Sequence, residues 1–311
     1  MTGTAFHRDN HYVPKVYLKR FASAPGKVFT YAILVNDARI PLWKEPPISR
    51  VAHRLHLHTR VAAGQETDDI ERWMDSEFES PAEDALRKGT SDAQMTTADW
   101  DRLVRFLAAQ DVRTPVRLLE HLQRWHKMMP RLLEDTMQKA VRSLEEAKRS
   151  GTPLTHAKAR DGDFLPIRVT KQIQPGQALG LLKAEVLVGR SSWLFGVRRA
   201  LSSTLKVLMQ QRWSILKPHG GLVWFTSDDP VIRLNRYGKG NYDFKGGWGN
   251  PGTEILFPLG PHHLMYAKVG EKPPRRGEVM SLADTVSPVV RKRSFLTIGR
   301  EQAYLPASSA P

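Results

Sequence analysis

Cysteine is absent from the 311 residues, which excludes disulfides, thiolate catalysis and thiolate-ligated metal. No apolar run approaches the ~20 residues that cross a bilayer, so no membrane span is expected. The stretch from Met1 to Asn10 is polar and lacks the apolar segment of a secretory leader. Together these absences make the cytoplasm the simplest location. Negative charge is also scarce. There are 32 Asp and Glu against 47 Lys and Arg, for a net charge of +15. The deficit is uneven: residues 1–150 hold 24 basic against 21 acidic groups, and residues 151–311 hold 23 against 11. A basic half attracts polyanions at long range, nucleic acid among them. Segment 66–84, however, is acidic enough to neutralise part of that surface within the fold. No phosphate loop, dinucleotide fingerprint, serine-hydrolase elbow, EF-hand or internal repeat is present, and nothing in the pattern fixes an oligomeric state.

What is present has the make-up of a globular protein, with 41% apolar and 25% charged residues. The β-branched and aromatic run from Val28 to Leu34 predicts a strand, with another from Ala38 to Trp43. A helix is expected from about Asp68, with Asp68 and Glu71 in capping spacing and a kink at Pro81. Thr96 and Asp99 have the same spacing ahead of a helix with Leu103 and Leu107 on its buried face. A third helical stretch should run from Val116 to Arg149, interrupted by Pro130, and a fourth from Ser191 or Ser192. Thereafter the pattern turns to strands. A hairpin is expected over Trp213–Lys217 and Leu222–Thr226, and further strands at 231–234, 253–259, 264–269 and 295–298. A short helix near Ser281 and a mobile glycine-rich loop at 238–252 complete the pattern. These elements predict one α+β domain over residues 10–300, with flexible ends at 1–9 and 301–311 and a loop or insertion at 151–180. Its mainly antiparallel sheet is built from N- and C-terminal strands and packed against the helical middle.

Three phrases set polar groups among apolar neighbours: His11-Tyr12-Val13-Pro14-Lys15-Val16-Tyr17, Gln110-Asp111-Val112-Arg113-Thr114-Pro115 and Thr226-Ser227-Asp228-Asp229-Pro230. A buried polar group without a partner is costly, so three such places suggest one internal polar cluster. Gln110 and Thr114 continue the stripe of Leu103 and Leu107 at helical period, and Arg113 lies one turn from Gln110. Two readings stay open for Arg113. It binds an anion that Gln110 orients, or it pairs with a carboxylate such as Glu79 or Asp228 and holds the layers together. Ser227 and Asp228 end an apolar strand, where they can serve as substrate contact and catalytic carboxylate, or simply cap the turn. His11 suits a general base or a satisfied core histidine equally. Glu71 and Glu79 could be paired carboxylates or a solvated face. His56 and His58 would share one face of a strand, but no third ligand at fixed spacing completes a zinc set.

Taken together the phrases resemble a bacterial family known as domain of unknown function 4238. The carriers are His11, Tyr12, Pro14, Tyr17, Leu18 and Phe21; the glutamates Glu71 and Glu79; and Gln110, Arg113, Thr114 and Pro115. Thr226, Ser227, Asp228 and Pro230, then Phe257, Pro258 and Leu259, complete the set. Where this family tends to place an aromatic, the chain has His56-Leu57-His58. The resemblance implies a shared architecture and a shared polar site, and brings no activity with it.

Two functional expectations follow. In the first, the chain is an enzyme acting on a phosphate-containing substrate, nucleic acid being one candidate. His11, Glu79 and Asp228 are then its catalytic groups, Gln110, Arg113, Thr114 and Ser227 contact the substrate, and a divalent metal is a cofactor the carboxylates could take. In the second, it is a non-catalytic binding or regulatory protein with a basic surface and a purely structural polar cluster.

Overall fold

The computed structural model describes residues 8–32, 39–62, 65–152, 167–173, 180–218, 221–238, 241–275, 278 and 297–299. They form an α+β protein in which every strand pairing is antiparallel. Contacts gather into two compact units. One combines the chain up to Arg117 with the chain from Arg199 onward, and the other is Leu118–Arg198. Of the flexible ends expected at 1–9 and 301–311, residues 1–7 and all of 301–311 lie outside the described residues, as does the helix expected near Ser281. At Asp9 the chain is already in a strand.

The larger unit holds two main sheets. One joins the two ends of the chain, in the order Thr226–Ser227, Thr297–Gly299, Phe29–Tyr31, Trp43–Lys44. The other is C-terminal, in the order Asn241–Asp243, Ile232–Gly238, Glu254–Gly260, His263–Lys268, Ser214–Leu216. Its central strand Glu254–Gly260 is buried at every position, which is why it reads as a continuous apolar run without alternation. The helices are α1 (Lys15–Leu18), α2 (Asp69–Met74), α3 (Glu83–Gly89), α4 (Thr97–Val112), α5 (Pro115–Ser150), α6 (Arg190–Arg199) and α7 (Leu205–Met209). The end of α3 seats directly on the sheet: a Cβ on Gly89 would meet Ile215 and Leu259 at 3.3 Å. Tyr17 of α1 stacks on Phe257 with ring centroids 5.1 Å apart, and Phe106 of α4 packs against both rings.

Local chemistry explains most boundaries. Thr96 and Asp99 form the expected capping box: each side chain bonds the other residue's backbone amide, at 3.2 and 2.9 Å. Asp68 makes no such cap and pairs with Arg72 at 2.7 Å instead. After α2 the chain runs as a π-helix over Asp75–Glu79 and a 3-10 turn over Ser80–Ala82 before α3, the irregularity that Pro81 foreshadows. Pro130 does not interrupt α5, which is continuous over 36 residues. The expected hairpin between Trp213 and Thr226 is not formed. Ser214–Leu216 pairs with His263–Lys268 and Thr226–Ser227 with the other sheet, while between them the Trp224 backbone N–H donates to the Pro261 carbonyl at 2.8 Å. The glycine-rich stretch is likewise structured: Asn241–Asp243 extends the five-stranded sheet and Trp248 is buried. Within the expected 151–180 insertion, Ile167–Ile173 pairs with Gly180–Val186 as a hairpin. Nor do His56 and His58 share a strand. His53–Leu55 ends before them, and His56 has a left-handed φ of 55°.

In the unit Leu118–Arg198, His121 of α5 lies against α6. Its Nε2 is 3.3 Å from the Ser192 hydroxyl, and a Cβ on Gly196 would meet its ring at 3.3 Å. Ser192 in turn bonds the amide and carbonyl of Gly189, closing the start of α6.

Candidate functional site

The three phrases meet in space. The Arg113 guanidinium donates to the His11 carbonyl at 2.7 Å, the Thr114 hydroxyl donates to Asp229 at 3.0 Å, and Tyr17 reaches Thr226 at 2.7 Å. Tyr17 donates its only hydroxyl proton to the Pro258 carbonyl at 2.7 Å, so Thr226 donates to Tyr17. The later Phe257-Pro258-Leu259 phrase is thereby part of the same assembly.

Most of the assembly is internally matched. Arg113, fully buried at the end of α4, pairs with Glu79 and lies 3.5 Å from Glu71. The π-helical turn brings Glu79 to it. Asp228 is not among its partners; of the two roles open to Arg113, the geometry fits the strut. His58 completes this group. Its Nε2–H donates to the Arg113 carbonyl at 3.0 Å, and its Nδ1 is 2.6 Å from Glu71. A proton must sit between those last two atoms, since a lone pair and a carboxylate oxygen at that separation would repel. Burial opposes ionisation of Glu71, yet the Arg113 charge and the His58 hydrogen bond outweigh it and hold the carboxyl below its ordinary range. The buried Asn10 accepts from the His58 amide at 2.9 Å.

A second group centres on Asp111, two residues before Arg113. Asp111 accepts from Trp248 Nε1–H at 2.6 Å and pairs with Arg117 at 2.7 Å and Arg233 at 3.4 Å. Arg117 also lies 3.6 Å from Asp229. Ser227 caps the turn, accepting from the Asp229 amide at 3.2 Å and donating to the Asp229 carbonyl at 3.0 Å. Ser227 and Thr114 are thus occupied within the protein.

Gln110 and His11 are different. Gln110 is fully buried one helical turn before Arg113 and Thr114, yet neither of its amide atoms has a hydrogen-bond partner among the described residues. Leaving such a group unmatched costs about 1–3 kcal/mol. His11 is anchored by a hydrogen bond to the Val51 backbone, while its buried Nδ1 has no partner among the described residues. Desolvation first, then the charge of Lys15, lowers its pKa to about 4, so the imidazole is neutral at physiological pH. The ring of its strand partner His53 lies 5.5 Å away, tilted by 40°, and is 2.5 Å from Asp9. Burial, then the negative charge of Asp228, pushes the neighbouring Tyr12 hydroxyl upward, with Arg54 opposing. Asp228 itself is buried.

Glu79 is committed to Arg113, so it is not a spare donor for a metal. Among the described residues no three His, Asp or Glu side chains are grouped to hold one. No helix among those residues is long and apolar enough to cross a membrane. Sequence reasoning weighed His58 only as a metal ligand and gave no role to Tyr12, Asp111, Arg117, Asp229, Arg233 or Trp248. Tyr12, Asp111 and Asp229 lay inside phrases already singled out, and Arg117 follows Arg113 by one helical turn; Arg233 and Trp248 carried no local signal.

A profile of the family described as "Protein of unknown function (DUF4238)" matches residues 9–301. No curated protein and no solved structure matches the chain.

Proposed function

The chain belongs to the DUF4238 family, and on that premise we propose that it is a cytoplasmic enzyme acting on a phosphate-containing substrate, nucleic acid being one candidate. Its working groups are His11, Tyr12, Gln110 and Asp228. One observation carries this reading: beside the ion pairs of Arg113 and Arg117, the Gln110 amide is buried with no hydrogen-bond partner among the described residues. Natural cores rarely retain so costly a group unless something other than the protein uses it. The neutral His11 presents Nδ1 as an acceptor and takes a proton from an attacking hydroxyl or water. Tyr12, kept protonated by burial and by Asp228, donates to an oxygen of the substrate. Gln110 orients it. The charges of Lys15 and Arg54 are felt at His11 and Tyr12, and with the net charge of +15 they suit an anion. Arg113 and Glu79 build the frame.

The test is a panel of phosphomonoesters, phosphodiesters, nucleotides and nucleic acids, each with and without divalent cations. Wild type should turn over at least one class, and His11→Gln and Asp228→Asn should each lower the rate about 100-fold or more while remaining folded. A blank panel for wild type, or full activity in both variants, sinks the reading.

The pairing of the Arg113 guanidinium with Glu79 and Glu71 favours a second reading, a non-catalytic binding or regulatory protein whose basic surface contacts nucleic acid or an acidic partner. It calls for binding that weakens steeply with salt and ignores Asp228→Asn. Binding that survives high salt unchanged removes it.

A further inference from the structure

The second half of α5 is an amphipathic helix without a cover among the described residues. From Pro130 to Ser150 no residue is buried. At 1.5 Å per residue this arm is about 30 Å long. Its apolar side chains are nonetheless ordered. Leu133, Met137, Ala140, Leu144 and Ala147 recur at alternating four- and three-residue spacing, the a/d repeat of a coiled coil. Leu144 and the adjoining Val141 remain 48% and 44% exposed. A lone helix of this length is marginal in water unless its apolar face is packed.

The charges beside the stripe say which partner fits. With Leu133, Ala140 and Ala147 at d and Met137 and Leu144 at a, the flanking e positions are Glu134, Val141 and Lys148. In an antiparallel pair e faces e, so a two-fold axis beside Val141 sets Glu134 against Lys148 of the other copy, twice. It sets Val141 against itself, and it layers Met137 on Ala147 and Ala140 on Leu144. In a parallel pair these e groups would not meet. The g positions, Thr136 and Ser143, are uncharged and add no repulsion.

We propose that this arm is a homodimerisation surface, binding a second copy of the chain as an antiparallel two-helix coiled coil centred on Val141. The pairing is isologous and closes on itself, giving a dimer and no larger assembly.

Because the chain has no cysteine, single thiols can map the pairing in the full-length protein. On mild oxidation Val141→Cys should give a covalent dimer. Glu134→Cys alone should give none, and Glu134→Cys combined with Lys148→Cys should give one. In sedimentation, wild type should run at twice the chain mass at micromolar concentration, and Leu144→Glu as a folded monomer. Lys148→Glu should weaken the dimer and Glu134→Lys combined with Lys148→Glu should restore it. A monomeric wild type overturns the proposal, as would an arm covered by another segment of its own chain. Efficient cross-linking of Glu134→Cys to itself also overturns it, since in this register the two Glu134 positions lie about 21 Å apart along the helix axis.

Discussion

Gln110 in the last turn of α4 and Arg113 at its C-cap are both fully buried, and the protein treats them in opposite ways. The guanidinium is met by Glu79, Glu71 and the His11 carbonyl. The amide is met by nothing among the described residues. An unpaired buried charge costs more than a fold can readily bear, so Arg113 and Arg117 each draw in carboxylates from elements distant in sequence. An unpaired amide costs less, and one such group is tolerable where a ligand or substrate can complete it. The difference teaches that burial of a polar residue does not by itself mark a working group. On the proposed function, what distinguishes Gln110 is an amide with neither atom hydrogen-bonded among the described residues.

The comparison breaks or sharpens under four substitutions. Arg113→Met leaves Glu71 and Glu79 without their counter-charge and should destabilise by about 3–5 kcal/mol in urea titrations. A loss below that of an ordinary surface change would mean the frame is not held by this pair. Trp248→Phe removes the donor 2.6 Å from Asp111 and should lower stability by about 1.5–3 kcal/mol, the scale of a hydrogen bond to a charged group. A neutral result would show that Arg117 and Arg233 alone satisfy Asp111.

His11 sharpens the comparison through pH. Its folded pKa of about 4 lies below the ordinary 6.5, so between those values the unfolded chain binds a proton that the folded one does not. Stability therefore falls on acidification through that window. His11→Gln should flatten the slope of thermal midpoint against pH there; an unchanged slope would show that the ring is not held neutral. The depressed Glu71 carboxyl contributes stability that is present above the ordinary carboxylate value of 4.5 and lost below it, as pH falls through the lower folded value. That loss belongs to the frame and should persist in the His11 variant. The smallest effect is expected at Gln110→Met. Replacing an unmatched amide by an apolar side chain of similar length should change stability by less than about 1 kcal/mol, while abolishing turnover if the site is catalytic. A large loss of stability would mean that Gln110 is a strut like Arg113.

Legibility in the sequence followed the range of the interactions. The capping box at Thr96, the burial of Gln110 and Thr114 and the all-apolar strand before Gly260 are local in origin, and each was readable. The hairpin expected after Trp213 was not readable, because the competing partners, His263–Lys268 and Thr297–Gly299, lie about 50 residues or more further along. Nor could adjacent aspartates be told apart. Asp229, not Asp228, receives Thr114, a matter of which way one turn faces.

By itself the sequence determined the α+β class, the cores of the helices, the net charge and the three phrases that carry the polar cluster. Periodicity, capping and composition act over a few residues and need no knowledge of the rest of the chain. Only the tertiary structure decided which of the buried polar groups are matched. A guanidinium's partner can come from any element the topology brings within about 4 Å, and sequence separation sets no limit on that distance. His58 and Glu71, 42 or more residues before Arg113, close one group, and Asp229 and Trp248, more than 100 residues after it, close the other. Among the described residues they leave both atoms of the Gln110 amide and the His11 Nδ1 without a hydrogen-bond partner.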